Sequence, residues 1–409
     1  MKALKKVKLS QLKIINNFLL EFNKKKNIIL SMKKLNLYEY VEKFKDVDFN
    51  EKEFNEIDAG ILACLSYINF KDVIPDFIED DKNGVPLKHI LTLDKEAHLL
   101  DGTVTTSQDK KLLRLCVDSK RFGNITLNYA LNYFDKDKCI QFFAITFIIS
   151  DSLAVVTYRG TDLTIIGWKD NFLMSLSKER PVYSVSDAYL TILGQKLPNH
   201  KLIIAGHSKG GALATYASCF VSEEIQNRII KVYDFDGPGF HNALDTEIGF
   251  HKIKDRIIKF LPVDSIVGIL LETNVEVEVV SAKGFSILQH TIYQWDLDDN
   301  RFILSPTQTP HSLLLQESTK EFLLKLTEEE KDEFINTYFY IIHNSQIEKL
   351  TDIMNKPHRK IISLIQTVGE ILKDTTKGPQ FVKVIKTFVV TYFSCLRKIK
   401  IPTKKEDTK

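Results

Sequence analysis

Residues 201–213, KLIIAGHSKGGAL, constrain this chain more than any other stretch. A short apolar strand, 202–205, runs into Gly206-His207-Ser208-Lys209-Gly210 and then into an alanine-rich helical segment. The pattern is G-x-S-x-G, a strand–turn–helix arrangement that holds a serine hydroxyl exposed above the carboxyl end of a buried strand. A turn this tight has no room for a Cβ at its flanks, and Gly206 and Gly210 supply the space. The helix that follows aims free backbone N–H groups, and the positive end of its dipole, at the same place. The bare pattern is short enough to arise by chance, so its weight depends on the rest of the chain.

The surrounding patterns alternate strand and helix. Apolar, β-branched runs predict strands over 140–149 and 153–158, joined through Ser150-Asp151-Ser152 as a hairpin. Further strands are predicted over 229–233, 256–261 and 275–280. Helical spacing occurs over 54–70, through Ile57, Ile61, Leu62, Leu65, Tyr67 and Ile68, and over 110–116 and 187–197. This alternation predicts an α/β fold of the α/β-hydrolase type: a mostly parallel central sheet flanked by helices, with helical N-terminal and C-terminal additions. The expected division is a basic extension over 1–31, the hydrolase domain over 32–318 and a helical region over 319–409. In that last region 321–326, 328–342, 361–373 and 382–399 read as helices, with breaks at Pro357 and at Gly378-Pro379.

A serine hydroxyl needs a base to take its proton, and the base needs an acid to fix its tautomer. On a sheet of this kind the order along the chain is serine, acid, histidine. His290, in Gln289-His290-Thr291 after a strand, is the first candidate base, and His311 is the alternate. Asp264, just past the strand 257–261, is the first candidate acid. Asp236 is the alternate, and its setting Asp236-Gly237-Pro238-Gly239 also reads as plain turn chemistry. The carbonyl oxygen that becomes an anion needs N–H donors. The backbone of Lys209 is one expected source; Thr161, in Tyr158-Arg159-Gly160-Thr161 after an earlier strand, is the other. Trp168 reads as packing beneath that loop, and 171–181 as a segment covering the site. The chemistry requires no metal and no cofactor.

Composition narrows the setting. A net charge of +3 over 409 residues is no nucleic-acid signature. The five cysteines (Cys64, Cys116, Cys139, Cys219 and Cys395) are dispersed without a C-x-x-C, which suits a reducing compartment better than a disulfide framework or a zinc site. No apolar run is long enough for a membrane-spanning helix, and no signal peptide is read at the N-terminus, so a cytoplasmic protein is expected. Residues 1–34 nevertheless carry ten lysines against one acidic residue, Glu21, and 382–399 is apolar with interspersed lysines. The first reads as a solvated arm and the second as a packed helix, with peripheral contact at a membrane surface as the alternative for either, or partner binding for the second. The oligomeric state is not legible.

Four segments taken together, YRGT (158–161), GHSKGG (206–211), LPVDSIVG (261–268) and QHTIYQW (289–295), resemble the class 3, fungal-type lipase group of α/β-hydrolases. FNEIDAGILACLSYINF (54–70), RGTDLTIIGWKDNF (159–172) and DFDGPGF (234–240) are similar to a bacterial, Mbeg-like branch of that group. The resemblance implies a triad of Ser208, Asp264 and His290, with Thr161 on the oxyanion loop. Two positions depart from the lipase pattern: Ser265 follows the expected acid where proline is usual, and Tyr158 stands where phenylalanine is common. The expected activity is hydrolysis of carboxylic esters, lipid-like ones favoured, through an acyl-enzyme on Ser208. A thioesterase or amidase using the same residues, or an inactive hydrolase-fold scaffold, is the alternative.

Overall fold

In the computed structural model the described residues are 34–78, 83–93, 96–101, 103, 105–135, 137–138, 140–161, 181–240, 244–271, 274–344, 366–375 and 377–398. Among them eight strands form one sheet whose spatial order is the chain order. They are β1 (Val85–Pro86), β2 (Thr126–Asp135), β3 (Ile140–Ser150), β4 (Leu153–Tyr158), β5 (Lys201–His207), β6 (Ile229–Phe235), β7 (Ile257–Pro262) and β8 (Glu276–Val280). β1 to β4 pair antiparallel; β4 to β8 pair parallel. The α/β-hydrolase architecture read from the alternation is the one observed, including the 140–149/153–158 hairpin as β3 and β4.

The longer helices are α1 (Leu37–Phe44), α2 (Glu56–Leu65), α3 (Thr106–Val117), α4 (Pro181–Lys196), α5 (Lys209–Phe220), α6 (Glu223–Arg228), α7 (Ile248–Ile253), α8 (Pro310–Leu324), α9 (Glu328–Asn344) and α10 (Lys377–Lys398). The central strands carry near-continuous apolar runs because both sheet faces are covered. On one face Val155, Ile203, Ala205, Phe235 and Phe260 pack with Ile57, Ile61 and Leu62 of α2. On the other, Val156, Leu202, Ile204 and Val232 pack with Leu190 and Leu193 of α4 and Leu213 and Ala217 of α5.

Capping boxes start the first two helices, Asn36 with Glu39 and Asn55 with Asp58. Asp58 has a second role: its Oδ2 meets Arg121 Nη2 at 2.6 Å with both side chains fully buried. Arg121 also donates to the Lys52 carbonyl at 2.9 Å, so this one guanidinium ties the N-terminal helices to the sheet domain. α2 stops at Leu65, short of the expected Phe70. The chain then turns through Ser66 and leaves Tyr67 beyond the helix, its backbone N–H on the Cys64 carbonyl.

Several elements depart from the sequence reading. β2 was not anticipated because Asn128 and Asn132 interrupt its pattern. A bulge between Asn128 and Leu131, with Tyr129 at φ +53°, lets it pair with β3 all the same. The expected break in the helical series is present, between the helical residues 366–373 and α10, and Gly378-Pro379 lie just after it in the first turn of α10, where proline removes no helical hydrogen bond. α8 begins at Pro310, capped by Thr309, and runs through residues 318 and 319 without a break. α8 and α10 meet through Phe322, Leu326 and Val384, with Phe334 of α9 and Phe388 against them. The extension 1–31, Trp168, the covering segment up to residue 180, Cys139 and Pro357 lie outside the described residues.

Candidate active site

The elbow geometry follows from its two glycines. A Cβ on Gly206 would sit 2.1 Å from the Gly210 carbonyl oxygen, and one on Gly210 would sit 1.9 Å from that of Tyr158. Between them Ser208 is forced to φ +58°, ψ −131°, a region a non-glycine residue occupies only under strain of about 1–3 kcal/mol. Its N–H is anchored on the Phe235 carbonyl at 2.9 Å. α5 begins at Lys209, directly after Ser208, and the Gly211 N–H bonds the Ser208 carbonyl at 2.9 Å. The Lys209 side chain turns inward and donates to the Gln141 carbonyl at 2.5 Å.

Of the two aspartates weighed, the structure brings Asp236 to His290 and takes Asp264 elsewhere. His290 Nδ1 lies 2.6 Å from Asp236 Oδ2; the aspartate is fully buried, while the imidazole keeps 18% exposure. Asp236 Oδ1 accepts from Ser265 Oγ at 2.6 Å and from the Gly268 N–H at 3.1 Å. The usual proline after Asp264 would offer no hydroxyl here; Ser265 uses its own to fix Asp236. The Asp236 backbone is at φ +54°. Beneath it, Asp234 Oδ1 accepts the Gly237 N–H at 2.8 Å and buried Lys259 donates to the Gly237 carbonyl at 2.5 Å, bracing the turn.

Asp264, the acid expected from the sequence, pairs instead with the alternate histidine: His311 Nδ1 lies 2.9 Å from its Oδ1. Its Oδ1 also accepts from Thr309 Oγ1, and its Oδ2 from the Ser286 N–H at 2.7 Å. Burial pushes the Asp264 carboxyl up, but the bonds from Thr309, His311 and Ser286 outweigh it and hold the pKa below the usual range. Asp264 thus clasps the start of the 3-10 turn Ser286–His290 and the start of α8. The reason is the sheet: β6 is hydrogen-bonded to β5, with Phe235 opposite His207, whereas β7, which leads to Asp264, is one strand further out.

Two further residues, Tyr67 and His207, to which the sequence pattern assigns no role at the site, complete the surroundings. His207 Nε2 lies 2.7 Å from the His290 carbonyl oxygen, and its Nδ1 lies 2.9 Å from the Tyr67 hydroxyl. The two imidazoles are 4.6 Å apart, centroid to centroid. Burial, with His290 nearby, pushes the His207 pKa down to about 3, so the ring is neutral. The signal was present in part: strand alternation puts His207 on the face of Ile203 and Ala205, the face that α2 covers.

On the loop after β4, Arg159 lies over the Phe143 ring at 4.4 Å. Thr161 Oγ1 is buried with no hydrogen-bond partner among the described residues. A buried hydroxyl without a partner is costly unless a ligand supplies one. The turn that carries His290 exposes three large apolar side chains: Phe285, Ile287 and Leu288, at 67%, 49% and 52%. A cavity of about 780 Å³ between α1, α3 and residues 298–300 contains none of these groups. Among the described residues no cluster of His, Cys, Asp or Glu is arranged to hold a metal ion.

The Mbeg1-like family model matches residues 116–340, more than half of the chain. The chain belongs to the Mbeg1-like family. Ser208, Asp236, Asp264, His290 and Thr161 of this Mbeg1-like protein all fall inside the matched span, and Tyr67 falls outside it. Solved structures similar to it include the M37 lipase, 15% identical over 54% of this chain and 70% of that one, with a TM-score of 0.33. A mutant form of MDLA from Penicillium cyclopium is 12% identical over 62% and 86%, TM-score 0.34. A fungal lipase in an inhibitor complex is 11% identical over 70% and 98%, TM-score 0.36. No curated protein matches the sequence.

Proposed function

We propose that this Mbeg1-like protein is a serine hydrolase of carboxylic esters, with Ser208 as nucleophile, His290 as general base and Asp236 as the acid that orients the base. The observation that carries the reading is the 2.6 Å contact between His290 Nδ1 and buried Asp236, at the elbow where Ser208 is strained to φ +58°. With the Nδ1 proton committed to Asp236, the unprotonated nitrogen is Nε2, which takes the Ser208 proton as the hydroxyl attacks the ester carbonyl. The oxyanion is received by the backbone N–H groups of Lys209 and Thr161 and by the Thr161 hydroxyl, which has no partner among the described residues. His290 then passes the proton to the leaving alcohol. Water, activated by the same nitrogen, releases the acid from Ser208. No step calls for a metal or a cofactor.

Phe285, Ile287 and Leu288, exposed beside the base, favour an ester with an apolar acyl part. The setting we propose is the reducing cytoplasm, with the buried thiols of Cys64, Cys116, Cys219 and Cys395 free. Among the described residues no helix is long and apolar enough to cross a membrane. The test is a fluorophosphonate, which should label the folded wild type at Ser208 and leave Ser208→Ala unlabelled. A folded wild type that stays unlabelled refutes the reading and favours a scaffold. A chain-length series of p-nitrophenyl esters beside acyl-CoAs separates an esterase from a thioesterase.

A further inference from the structure

We propose that Tyr67 and His207 are positioning residues that lock the oxyanion loop and the general base into one hydrogen-bonded unit. The inference rests on the serine-hydrolase reading for its catalytic meaning, but its geometry stands apart from it. A carbonyl oxygen only accepts, so His207 Nε2, facing the His290 carbonyl at 2.7 Å, carries the ring proton. A neutral imidazole then has a bare Nδ1, so the Tyr67 hydroxyl, 2.9 Å away, is the donor to it. The Tyr67 oxygen in turn lies against the Gly160 backbone, where a Cβ would sit 2.2 Å from it. Both donors therefore have a fixed direction, Tyr67 O–H to His207 and His207 Nε2–H to the His290 backbone, and the Tyr67 end is seated on Gly160. From His290 the unit continues through Nδ1 to Asp236.

The two ends of this unit are the parts that must keep their separation during acyl transfer: the loop carrying Thr161 and the imidazole. Space around it is tight. A Cβ on Gly160 would lie 2.2 Å from the Tyr67 hydroxyl and 2.6 Å from the His207 carbonyl oxygen, so the glycine of Tyr158-Arg159-Gly160-Thr161 lets the hydroxyl reach the backbone. Tyr67 comes from the chain leaving α2, outside the 116–340 family span. The N-terminal segment is thereby a working part of the site and not only a cover over the sheet. Its contribution is to position, because neither Tyr67 nor His207 has a free polar atom to offer a substrate.

The experiment compares three variants of the full chain. Tyr67→Phe removes only the hydroxyl. His207→Asn places its amide near Nδ1 and drops the bond to His290, whereas His207→Gln reaches to the Nε2 position and can keep it. The readouts are the saturating rate constant and half-saturation concentration for fluorophosphonate labelling of Ser208, and the ¹⁵N spectrum of the His290 ring. Tyr67→Phe and His207→Asn should lower the saturating rate constant about 10- to 100-fold, the cost of a misplaced catalytic group, with half-saturation moving less than about threefold. His207→Gln should recover about tenfold over His207→Asn, a rescue that simple cavity filling does not predict. The His290 ring nitrogens should shift in Tyr67→Phe and His207→Asn. Unchanged ring nitrogens in both variants, or equal rates for the Asn and Gln variants, overturn the proposal. If wild type is unlabelled while those ring signals move, the unit stands and the hydrolase reading falls. Should Tyr67→Phe fail to fold, the His207 pair decides.

Discussion

Replacing Asp236 by asparagine should abolish nearly all Ser208 reactivity, and the local hydrogen bonds say why. Asp236 Oδ1 receives two donors, Ser265 Oγ at 2.6 Å and the Gly268 N–H at 3.1 Å, and the second is backbone and cannot turn away. An asparagine there must keep its carbonyl oxygen at the Oδ1 position, which puts its NH₂ where Oδ2 met His290 Nδ1 at 2.6 Å. The NH₂ group donates, so Nδ1 becomes an acceptor and the imidazole proton moves to Nε2. An imidazole protonated at Nε2 cannot take the serine proton. A trapped wrong tautomer in a serine triad costs about 10⁴-fold, or about 5 kcal/mol of transition-state stabilisation. Asp264→Asn is the matched control. It loses one of the acceptors for Thr309, His311 and the Ser286 N–H, so it should destabilise the fold by about 1.5–3 kcal/mol while labelling falls less than about tenfold. The assay is fluorophosphonate labelling and p-nitrophenyl acetate turnover at a temperature where circular dichroism shows both variants folded. Asp236→Asn within tenfold of wild type, or Asp264→Asn equally dead while folded, would refute the reasoning and return the acid to Asp264.

Other expectations concern stability and surface. Burial pushes the Glu56 pKa up to about 7, against the hydrogen bond its carboxylate accepts from the Phe302 N–H. The folded state thus favours the protonated form; this stabilisation is complete below the unfolded pKa of about 4.5 and is lost as pH rises through 7. Glu56→Gln should therefore exceed wild type in urea-melt stability by about 2–3 kcal/mol at pH 8 and match it at pH 4; an equal difference at both pH values would contradict this. Arg121→Met strands buried Asp58 without a cation and should cost about 3–5 kcal/mol, with most of it recovered in the Asp58→Asn/Arg121→Met double variant; thermal unfolding reads both, and a double variant no more stable than the single one sinks the account. α10 exposes Val382, Ile385, Val389 and Phe393 at 41–53% and carries Lys377, Lys383, Lys386, Arg397 and Lys398 without an acidic residue. Glutamine at those four apolar positions should weaken co-sedimentation with vesicles containing anionic lipid more than tenfold, at about 1.5–3 kcal/mol per buried apolar side chain. Binding unchanged in that variant but lost on deleting residues 1–31 assigns the contact to the N-terminal arm instead.

The elements legible in the sequence are those whose periodicity is set by burial. β5 is covered on both faces and its apolar run is unbroken, β6 and β7 are apolar apart from Lys231, Asp234 and Lys259, and the elbow announces itself because its glycines are sterically obligatory. β2 escaped notice because Tyr129 at φ +53° shifts its register, and a bulge erases period-2 alternation. Gly378-Pro379 do mark a break between the helical residues 366–373 and α10, and they do so from the first turn of the second helix, where the dipeptide is tolerated.

The site shows a different limit. Asp236 and Asp264 each follow a buried strand, and each precedes His290, so chain order does not choose between them. The choice is made by strand adjacency, because β6 bonds directly to β5 and sets Phe235 beside His207, leaving Asp236 next to the strained serine. Asp264 is one strand further out, roughly 10 Å from β5 at about 4.8 Å per strand. From there it can still hold the turn that delivers His290, through the Ser286 N–H and the bond from its own N–H to Gln289. The two aspartates thus share the work on His290, Asp264 placing the turn and Asp236 setting the imidazole. A sequence pattern that ranks residues by order alone sees two equivalent acids. What separates them is reach: Asp236 meets the ring itself, whereas Asp264 meets the turn that carries it, at the Ser286 N–H and the Gln289 side chain.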